Sequence, residues 1–208
     1  TDSTLDNLKK KVSPFILRRI KSDVLKELPD KVEKIIYCEL NEKERNVYNN
    51  LLVQGKDLIG SLFDSKQSQN DNMEVLTLLL RLRQTCCDLN LFSDPVDNKF
   101  VSSKISLLEP IIKNAINHGG KIIVFSQFVK MLNTIERHLD SMDISSFLLH
   151  GGILSKERDR LVNSFQDPNN NTPVFLVSLK AGGYGLNLTA ADTVIHFDPW
   201  WNPSVENQ

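Results

Sequence analysis

The residues best suited to chemistry lie in one stretch near the C-terminus, Ser178-Leu-Lys-Ala-Gly-Gly-Tyr-Gly-Leu-Asn187. The glycines at 182, 183 and 185 allow sharp turns and a close approach of the backbone to a ligand. Ser178 and Lys180 place a hydroxyl and a cation beside backbone N–H groups, which is a combination that suits a phosphate. The alternative is a tight turn without a ligand, because glycines often only separate strands.

Alternating strands and helices surround this stretch. The apolar runs at 173–178 and 193–197 are typical of buried strands. The same patterns predict a helix that ends at His118-Gly119-Gly120, with one apolar face formed by Ile105, Leu108, Ile111, Ile112 and Ala115. Strand 121–126, helix 129–140, strand 145–149, and helix 155–166 with Ser155 as its cap are predicted to follow. Repeated units of this kind imply a parallel sheet with right-handed connections and helices on both faces.

Polar or glycine-rich segments follow four of the predicted strands. They are Ser126-Gln127, His150-Gly151-Gly152, Ser178 to Asn187, and Asp198 onward. In parallel sheets, ligands bind beyond the carboxyl ends of the strands. Because all four segments fall on that one edge, the sequence favours a functional edge over an isolated turn.

The N-terminal half has a different character. It begins with a basic stretch of about forty residues, and Asn41 and Glu44 then have the spacing of a helix cap with its reciprocal glutamate. The patterns predict a strand at 32–40, helices from Tyr48 to Leu62 and from Met73 to Leu89 with a polar mobile loop at 64–72 between them, and a linker at 94–103. The two helices would form a helical hairpin.

The composition narrows the class of protein. With 40% hydrophobic and 25% charged residues, the chain reads as an ordinary soluble globular protein without a membrane span. A net charge of -1 means that any nucleic-acid binding must come from local patches. Cys38, Cys86 and Cys87 are not at zinc-ligand spacing with the histidines, so we expect buried, reduced thiols and no metal site.

Both tryptophans of the chain, Trp200 and Trp201, are adjacent and follow the last predicted strand. Neighbouring side chains of an extended segment face opposite ways. One tryptophan is therefore expected to fill the core and the other to be available for a base, a sugar or a partner lobe.

Six motifs in a fixed order resemble those of Swi/Snf-type DNA-translocating ATPases of helicase superfamily two, with the bacterial and archaeal branch closest. They are Pro14-Phe-Ile-Leu-Arg-Arg19, Leu28-Pro-Asp-Lys31, Leu82-Arg-Gln84 with Cys86-Cys87, Phe125-Ser-Gln-Phe128, the motif V stretch Ser178 to Leu188 with Ala191-Asp192, and Asp198-Pro-Trp-Trp-Asn-Pro203. The resemblance covers nearly the whole chain.

This resemblance implies an α/β fold: a RecA-like parallel sheet flanked by helices, with a helical protrusion and the tail of a preceding lobe. Residues 1–40 would be the tail of the first RecA-like lobe and a linker, 41–102 the protrusion, and 103–208 the second lobe, truncated before motif VI. In the family, the two lobes form a motor that uses ATP to translocate along double-stranded DNA.

The resemblance also implies roles for individual residues. The residues expected to line the DNA-binding face are Ser126, Gln127, His150, Gly151, Ser178, Lys180, Ala181, Trp200 and Trp201. Gly183, Gly185 and Asn187 would face the ATP cleft and couple it to DNA, and Arg18 and Arg19 would brace the lobes. Two departures stand out: His150-Gly151-Gly152 replaces the commoner Asp-Gly-Ser, and Tyr184 occupies a position where a smaller residue is frequent.

The sequence contains neither a Gly-x-x-x-x-Gly-Lys-Ser/Thr loop nor an Asp-Glu-x-His motif, and it ends at Gln208, before the expected motif VI. ATP and Mg are therefore expected to bind mainly to the absent first lobe, and no residue of this fragment is predicted to be catalytic. The expected activity is that of a DNA-stimulated ATPase in the longer parent protein, with this fragment inactive alone.

The implied partners are double-stranded DNA, bound without sequence preference, and the first lobe of the same protein. Nucleosomes, other DNA-bound proteins, RNA polymerase and DNA junctions are all compatible cargoes. The expected location is inside the cell, in the cytoplasm or nucleoid of a prokaryote or the nucleus of a eukaryote.

The main alternative to a motor protein is a non-catalytic nucleic-acid or protein binding module that retains the RecA-like fold. An unrelated Rossmann-type enzyme fits poorly, because no helix capped by the glycine turn is evident.

Overall fold

Four short apolar runs pair into one parallel sheet. The strands are β1 (Ile122–Ser126), β2 (Ser146–Leu149), β3 (Val174–Ser178) and β4 (Thr193–His196), in the order β2-β3-β1-β4. They belong to a computed structural model that describes residues 2–16, 32–64, 69–92, 100–182 and 186–202. The two central strands, β1 and β3, are nearly continuous apolar runs and are almost wholly buried, as expected for strands covered on both faces.

Helices cover both faces of the sheet. In chain order they are α4 (Ser103–Asn117), α5 (Val129–Asp140), α6 (Ser155–Gln166) and the short α7 (Leu179–Gly182). Ile112 of α4 and Leu132 of α5 pack with Val124 in one core cluster. On the opposite face, Phe165 of α6 packs with Phe175 in a second cluster. The predicted RecA-like architecture, a parallel sheet flanked by helices, is therefore confirmed.

A helical hairpin precedes the sheet. Its helices are α2 (Glu42–Asp64) and α3 (Gln69–Thr85), and the 3-10 turn Leu89–Leu91 follows them. At the helix crossing, a Cβ on buried Gly55 would lie only 2.5 Å from Leu78 Cδ2, so the absence of a side chain there allows the helices to approach closely.

The segment before the hairpin begins with α1 (Asp2–Val12), followed by the 3-10 turn Ser13–Phe15. The chain divides into two compact units, Thr1–Tyr37 and Cys38–Gln208, and α1 belongs to the first. Three lysines, Lys9, Lys10 and Lys11, occupy the last turn of α1, where positive charge interacts favourably with the helix dipole.

Several local predictions were wrong, each for a physical reason. The strand expected at 32–40 is irregular, and side chains such as Val32 and Tyr37 are exposed, since none of the described strands pairs with this segment. Helix α3 begins at Gln69, inside the predicted loop, since glutamine and asparagine do not prevent a helix when tertiary packing supports it. Ser155 is the first residue of α6 rather than its cap, which is Leu154 without a side-chain hydrogen bond.

The capping box predicted at the start of α2 is confirmed and has a further role. The Glu44 N–H donates to Asn41 Oδ1 (3.0 Å), and the Asn41 N–H donates to Glu44 Oε2 (2.9 Å). The Glu44 carboxylate is only 1% exposed. Its second oxygen accepts a hydrogen bond from the Ser103 N–H at the start of α4 (3.0 Å). One carboxylate therefore joins the helical hairpin to α4, the first helix that packs on the sheet.

The three cysteines form no disulfide with one another, and only one of them is buried as predicted. Cys87 lies in the core, whereas Cys38 and Cys86 are partly exposed. Burial, followed by the charge of Asp198, raises the pKa of the Cys87 thiol to about 12, which leaves it protonated and unreactive at neutral pH.

None of the described helices is long and apolar enough to cross a membrane.

Replacing Glu44 by alanine should destabilise the fold by about 2–3 kcal/mol, because the Asn41 and Ser103 N–H groups would lose a charged acceptor in a buried place. Urea unfolding of Glu44→Ala measures the loss. The matched control is Glu42→Ala in the same helical turn, where the side chain is exposed and the expected change is about 0.5 kcal/mol or less. Equal losses in the two variants would show that the joint does not stabilise the fold.

Candidate nucleic-acid interface

The strand register brings the four polar segments to one edge of the sheet. Ser126 at the end of β1 is paired with Ser178 at the end of β3. Leu149 is paired with Val177, so His150 follows β2 beside Ser178. On the other side, β4 is paired with β1 up to His196, and Asp198 follows. The expectation of a single polar and glycine-rich edge at the carboxyl ends of the strands is thus confirmed.

Asp198 organises one side of this edge. Its Oδ2 accepts a hydrogen bond from the Gln127 N–H (3.0 Å), which ties the end of β4 to the end of β1. The side chain is only 3% exposed. Burial raises the pKa of this carboxyl, and the hydrogen bonds that it accepts oppose the rise.

Ser126 lies beneath the edge rather than on it. It is fully buried, and its hydroxyl accepts a hydrogen bond from the Phe128 N–H (3.1 Å). Gln127, next to it, is partly exposed. A contact between the Ser126 hydroxyl and a DNA phosphate stays a prediction, and this geometry does not favour it.

The motif V stretch begins with a tight helical turn. Ser178 and Ala181 are buried, whereas Lys180 is exposed. A Cβ on Gly182, the last residue of α7, would lie 2.6 Å from Cε1 of Phe125 in β1. Only glycine therefore fits against the Phe125 ring at this position. The next residues, 183–185, which include the predicted cleft residues Gly183 and Gly185, lie outside the described part of the chain.

Helix α6 holds both ends of this stretch. Arg158 Nη2 donates to the Ala181 carbonyl (3.2 Å). The Gln166 amide donates to the Asn187 carbonyl (2.9 Å) and accepts from the Ala190 N–H (2.7 Å). Sequence reasoning missed Arg158 and Gln166. Their only signal was the spacing of eight residues, which places both on one face of the helix.

A polar cavity of about 380 Å³ lies between α6 and the described end of the stretch. Its polar lining residues are Ser155, Arg158, Asp159, Asn163 and Asn187. Asn187, which was predicted to face the ATP cleft, therefore borders a cavity. Among the described residues, no cluster of histidine, cysteine or carboxylate side chains is arranged to hold a metal ion.

The turn after β2 has the form expected of its glycines. Gly151 is exposed, and the Gly152 N–H donates to His150 Nδ1 (3.1 Å). A Cβ on Gly152 would lie 3.1 Å from the imidazole Cε1, so the ring covers this glycine closely. His150 itself is half-buried, and its contact with DNA stays a prediction.

The two tryptophans differ in exposure, as the sequence predicted, but neither belongs to a core cluster. Trp200 is half-buried, whereas Trp201 is 65% exposed. The guanidinium of Arg83, from α3, lies over both rings. Arg18 and Arg19, the predicted interlobe brace, lie outside the described residues.

A parallel sheet covered by helices on both faces, with its loops gathered at the carboxyl edge, is the architecture of a RecA-like lobe. The family model described as "Helicase conserved C-terminal domain" matches residues 103–208, and the model described as "SNF2-related domain" matches residues 1–91. The C-terminal domain of the SWI2/SNF2 ATPase of Sulfolobus solfataricus is 34% identical, with a TM-score of 0.73 over 86% of this chain and 76% of that one. The chain therefore belongs to the SWI2/SNF2 family.

Two further relatives extend the comparison. The Sulfolobus solfataricus SWI2/SNF2 ATPase core in complex with double-stranded DNA is 34% identical, with a TM-score of 0.72 over 95% of this chain and 42% of that one. An uncharacterized ATP-dependent helicase of Mycoplasma genitalium is 38% identical over 100% of this chain. The chain spans only 19% of that relative's length.

Asp198 should make stability depend on pH. Because the folded state raises the pKa of Asp198 above its ordinary 3.8, the free energy of unfolding should rise as pH falls from 7 through the raised pKa. Asp198→Asn removes this gain and keeps an oxygen for the Gln127 N–H, whereas Asp198→Ala should cost about 1–3 kcal/mol at pH 7.

Urea unfolding between pH 4 and 7 tests these expectations, with exposed Asp143→Asn as the control because asparagine tolerates the left-handed backbone there (φ 58°). A pH dependence that is the same in wild type and Asp198→Asn would contradict the burial argument.

Proposed function

We propose that this chain is the C-terminal half of an ATP-dependent motor that moves along double-stranded DNA, and that the carboxyl edge of its sheet holds the DNA backbone. The observation that carries the proposal is the strand register, which pairs Ser126 with Ser178 and places all four polar segments on one edge. Membership of the SWI2/SNF2 family and the Sulfolobus core in complex with double-stranded DNA support it.

The exposed groups at this edge are suited to a phosphate backbone. Lys180 supplies a cation, Gly151 exposes its backbone, and Trp201 offers an aromatic face. Cations and backbone N–H groups position a duplex without reading its sequence, as a motor that moves over any DNA requires. In this proposal Gln127, His150 and Trp200 lie at the margin of the contact, and the buried Ser126, Ser178 and Ala181 shape the surface beneath it.

The motif V stretch would couple this edge to the ATP cleft. Its first end, at Ala181, and its second end, at Asn187, are both held by α6 through Arg158 and Gln166. A movement of Gly183 to Asn187 in response to ATP would therefore be transmitted to α6 and to Lys180. ATP and Mg would be bound mainly by the first lobe of the same protein.

We also propose the domain organisation that the resemblance implies. Residues 1–40 would be the tail of the first lobe and a linker, 41–102 the helical protrusion, and 103–208 the second lobe. The compact unit that ends at Tyr37 and the family match that starts at residue 103 support these boundaries. The motor would act where the DNA is, in a nucleoid or a nucleus, on a nucleoprotein cargo.

The purified chain should bind double-stranded DNA weakly and without sequence preference, with an affinity that falls as salt rises. Substituting Ser178 and Lys180 together by alanine should weaken binding and reduce the salt slope by about one, because one cation leaves the phosphate contact. Fluorescence anisotropy with two unrelated duplexes at 20–200 mM salt, about the range over which such contacts are lost, measures both.

Lys113→Ala is the matched charge control, since Lys113 lies on α4 and pairs with Glu109 rather than facing the edge. Binding that is unchanged by the double substitution at low salt would remove the edge from the proposal. No binding by the wild type would favour a protein-binding module.

The same preparation should not hydrolyse ATP, with or without DNA, because the 208 residues contain no Walker A loop and no Asp-Glu-x-His motif. A longer version of the protein that includes the first lobe should hydrolyse ATP faster when double-stranded DNA is added. Phosphate release by the two proteins compares them. Specific turnover by the chain alone would contradict the division of labour between the lobes.

A further inference from the structure

Arg83 on α3 of the helical hairpin reaches the tryptophan segment, Asp198–Trp201. Its guanidinium donates a hydrogen bond to the Pro199 carbonyl. The same group lies 4.6 Å from the centroid of a Trp201 ring and 5.6 Å from that of Trp200. A planar guanidinium can donate in its plane and stack on aromatic faces, so one side chain fixes both the backbone and two rings.

Neighbouring residues hold the start of this segment against the same elements. Lys104 Nζ, near the start of α4, lies 5.3 Å from the centroid of the Phe197 ring. Cys87, just after α3, packs in the same core cluster as Phe197. The chain from Phe197 to Trp201 is therefore held at successive positions by the end of the hairpin and the start of α4.

Arg83 belongs to the Leu82-Arg-Gln84 motif, which the family resemblance singles out without giving it a role. Its hydrogen-bond acceptor, Pro199, lies 116 residues away in sequence, so no local pattern could have revealed this contact. Arg81, two residues earlier on α3, makes a different contact: its guanidinium lies 5.3 Å from the centroid of the Phe92 ring. Arg81 therefore contacts the residue that follows the 3-10 turn after the hairpin, whereas Arg83 contacts the edge of the sheet.

We propose that Arg83 is a positioning residue that latches the tryptophan segment to the helical hairpin and so fixes the direction in which Trp201 faces DNA. Because of this contact, the helical hairpin and the DNA-binding edge would move as one rigid unit. The DNA part of this inference rests on the proposed function, whereas the latch itself does not.

The chain contains only two tryptophans, both in this segment, so their fluorescence reports on the latch directly. In a Trp201→Phe background, the half-buried Trp200 is the only indole. Arg83→Met keeps much of the side-chain volume and removes the cation and the donors. It should shift the emission to the red and raise the acrylamide quenching constant about two- to fivefold, because the ring face that the guanidinium covers becomes accessible to the quencher.

Arg81→Met is the matched control and should leave the fluorescence unchanged, since its partner is a phenylalanine. Fluorescence of Arg83→Met identical to that of its parent overturns the latch. If Arg83→Met does not fold, Arg83→Lys carries the test, because lysine keeps the charge but not the planar fork. Increased quenching in Arg83→Lys then supports the latch, and unchanged quenching overturns it.

A double-mutant cycle in DNA binding tests the positioning role. If Arg83 acts through Trp201, then Arg83→Met and Trp201→Ala should each weaken binding, and the double variant should be no weaker than the worse single variant. Additive losses would show that Arg83 contributes independently and would overturn the role. If the wild type binds no DNA, the proposed function fails, while the fluorescence result still decides the latch.

Discussion

Parallel pairing of β1 with both β3 and β4 is the constraint on which the rest of the structure depends. It places Ser126 beside Ser178 and brings Asp198 to the same end of the sheet. Side chains alternate between the faces of a strand, so a slip of one residue would turn every buried side chain of β1 to the other face. Since both faces of the central strands are covered by separate core clusters, such a slip is strongly disfavoured. The positions of the polar segments at the carboxyl edge are therefore fixed by the same packing.

Two elements outside the sheet hold the loops at this edge. Helix α6 grips the motif V stretch at both ends through Arg158 and Gln166, and the helical hairpin grips the tryptophan segment through Arg83. Each grip uses a long polar side chain that bonds to backbone carbonyls. Hydrogen bonds of this kind fix the backbone of the loop, and Arg83 also covers one face of each tryptophan ring.

The sequence contains enough local information for the alternating half of the fold. Helices α5 and α6 have the predicted bounds, because apolar spacing and turn residues agree with the tertiary packing there. The run at 32–40 misled because its apolar residues have strand propensity but no partner strand, and strand propensity depends on context. For the candidate site, motif spacing predicted the edge correctly. It did not reveal that Ser126 is buried. It could not predict that Gln166 and Arg83 hold the loops, because those contacts join residues far apart in sequence.

The joint between the hairpin and the edge also has a consequence for the order of folding during synthesis. Glu44 meets Ser103 across 59 residues, whereas Arg83 meets Pro199 across 116. Closing the longer loop costs more chain entropy, and its far end leaves the ribosome much later. The hairpin can dock on α4 while β3 and β4 are still being made, and Arg83 then waits for its partners. Attachment of the tryptophan segment would therefore be among the last steps of folding. The segment would be fixed in place only after the strands beneath it have paired.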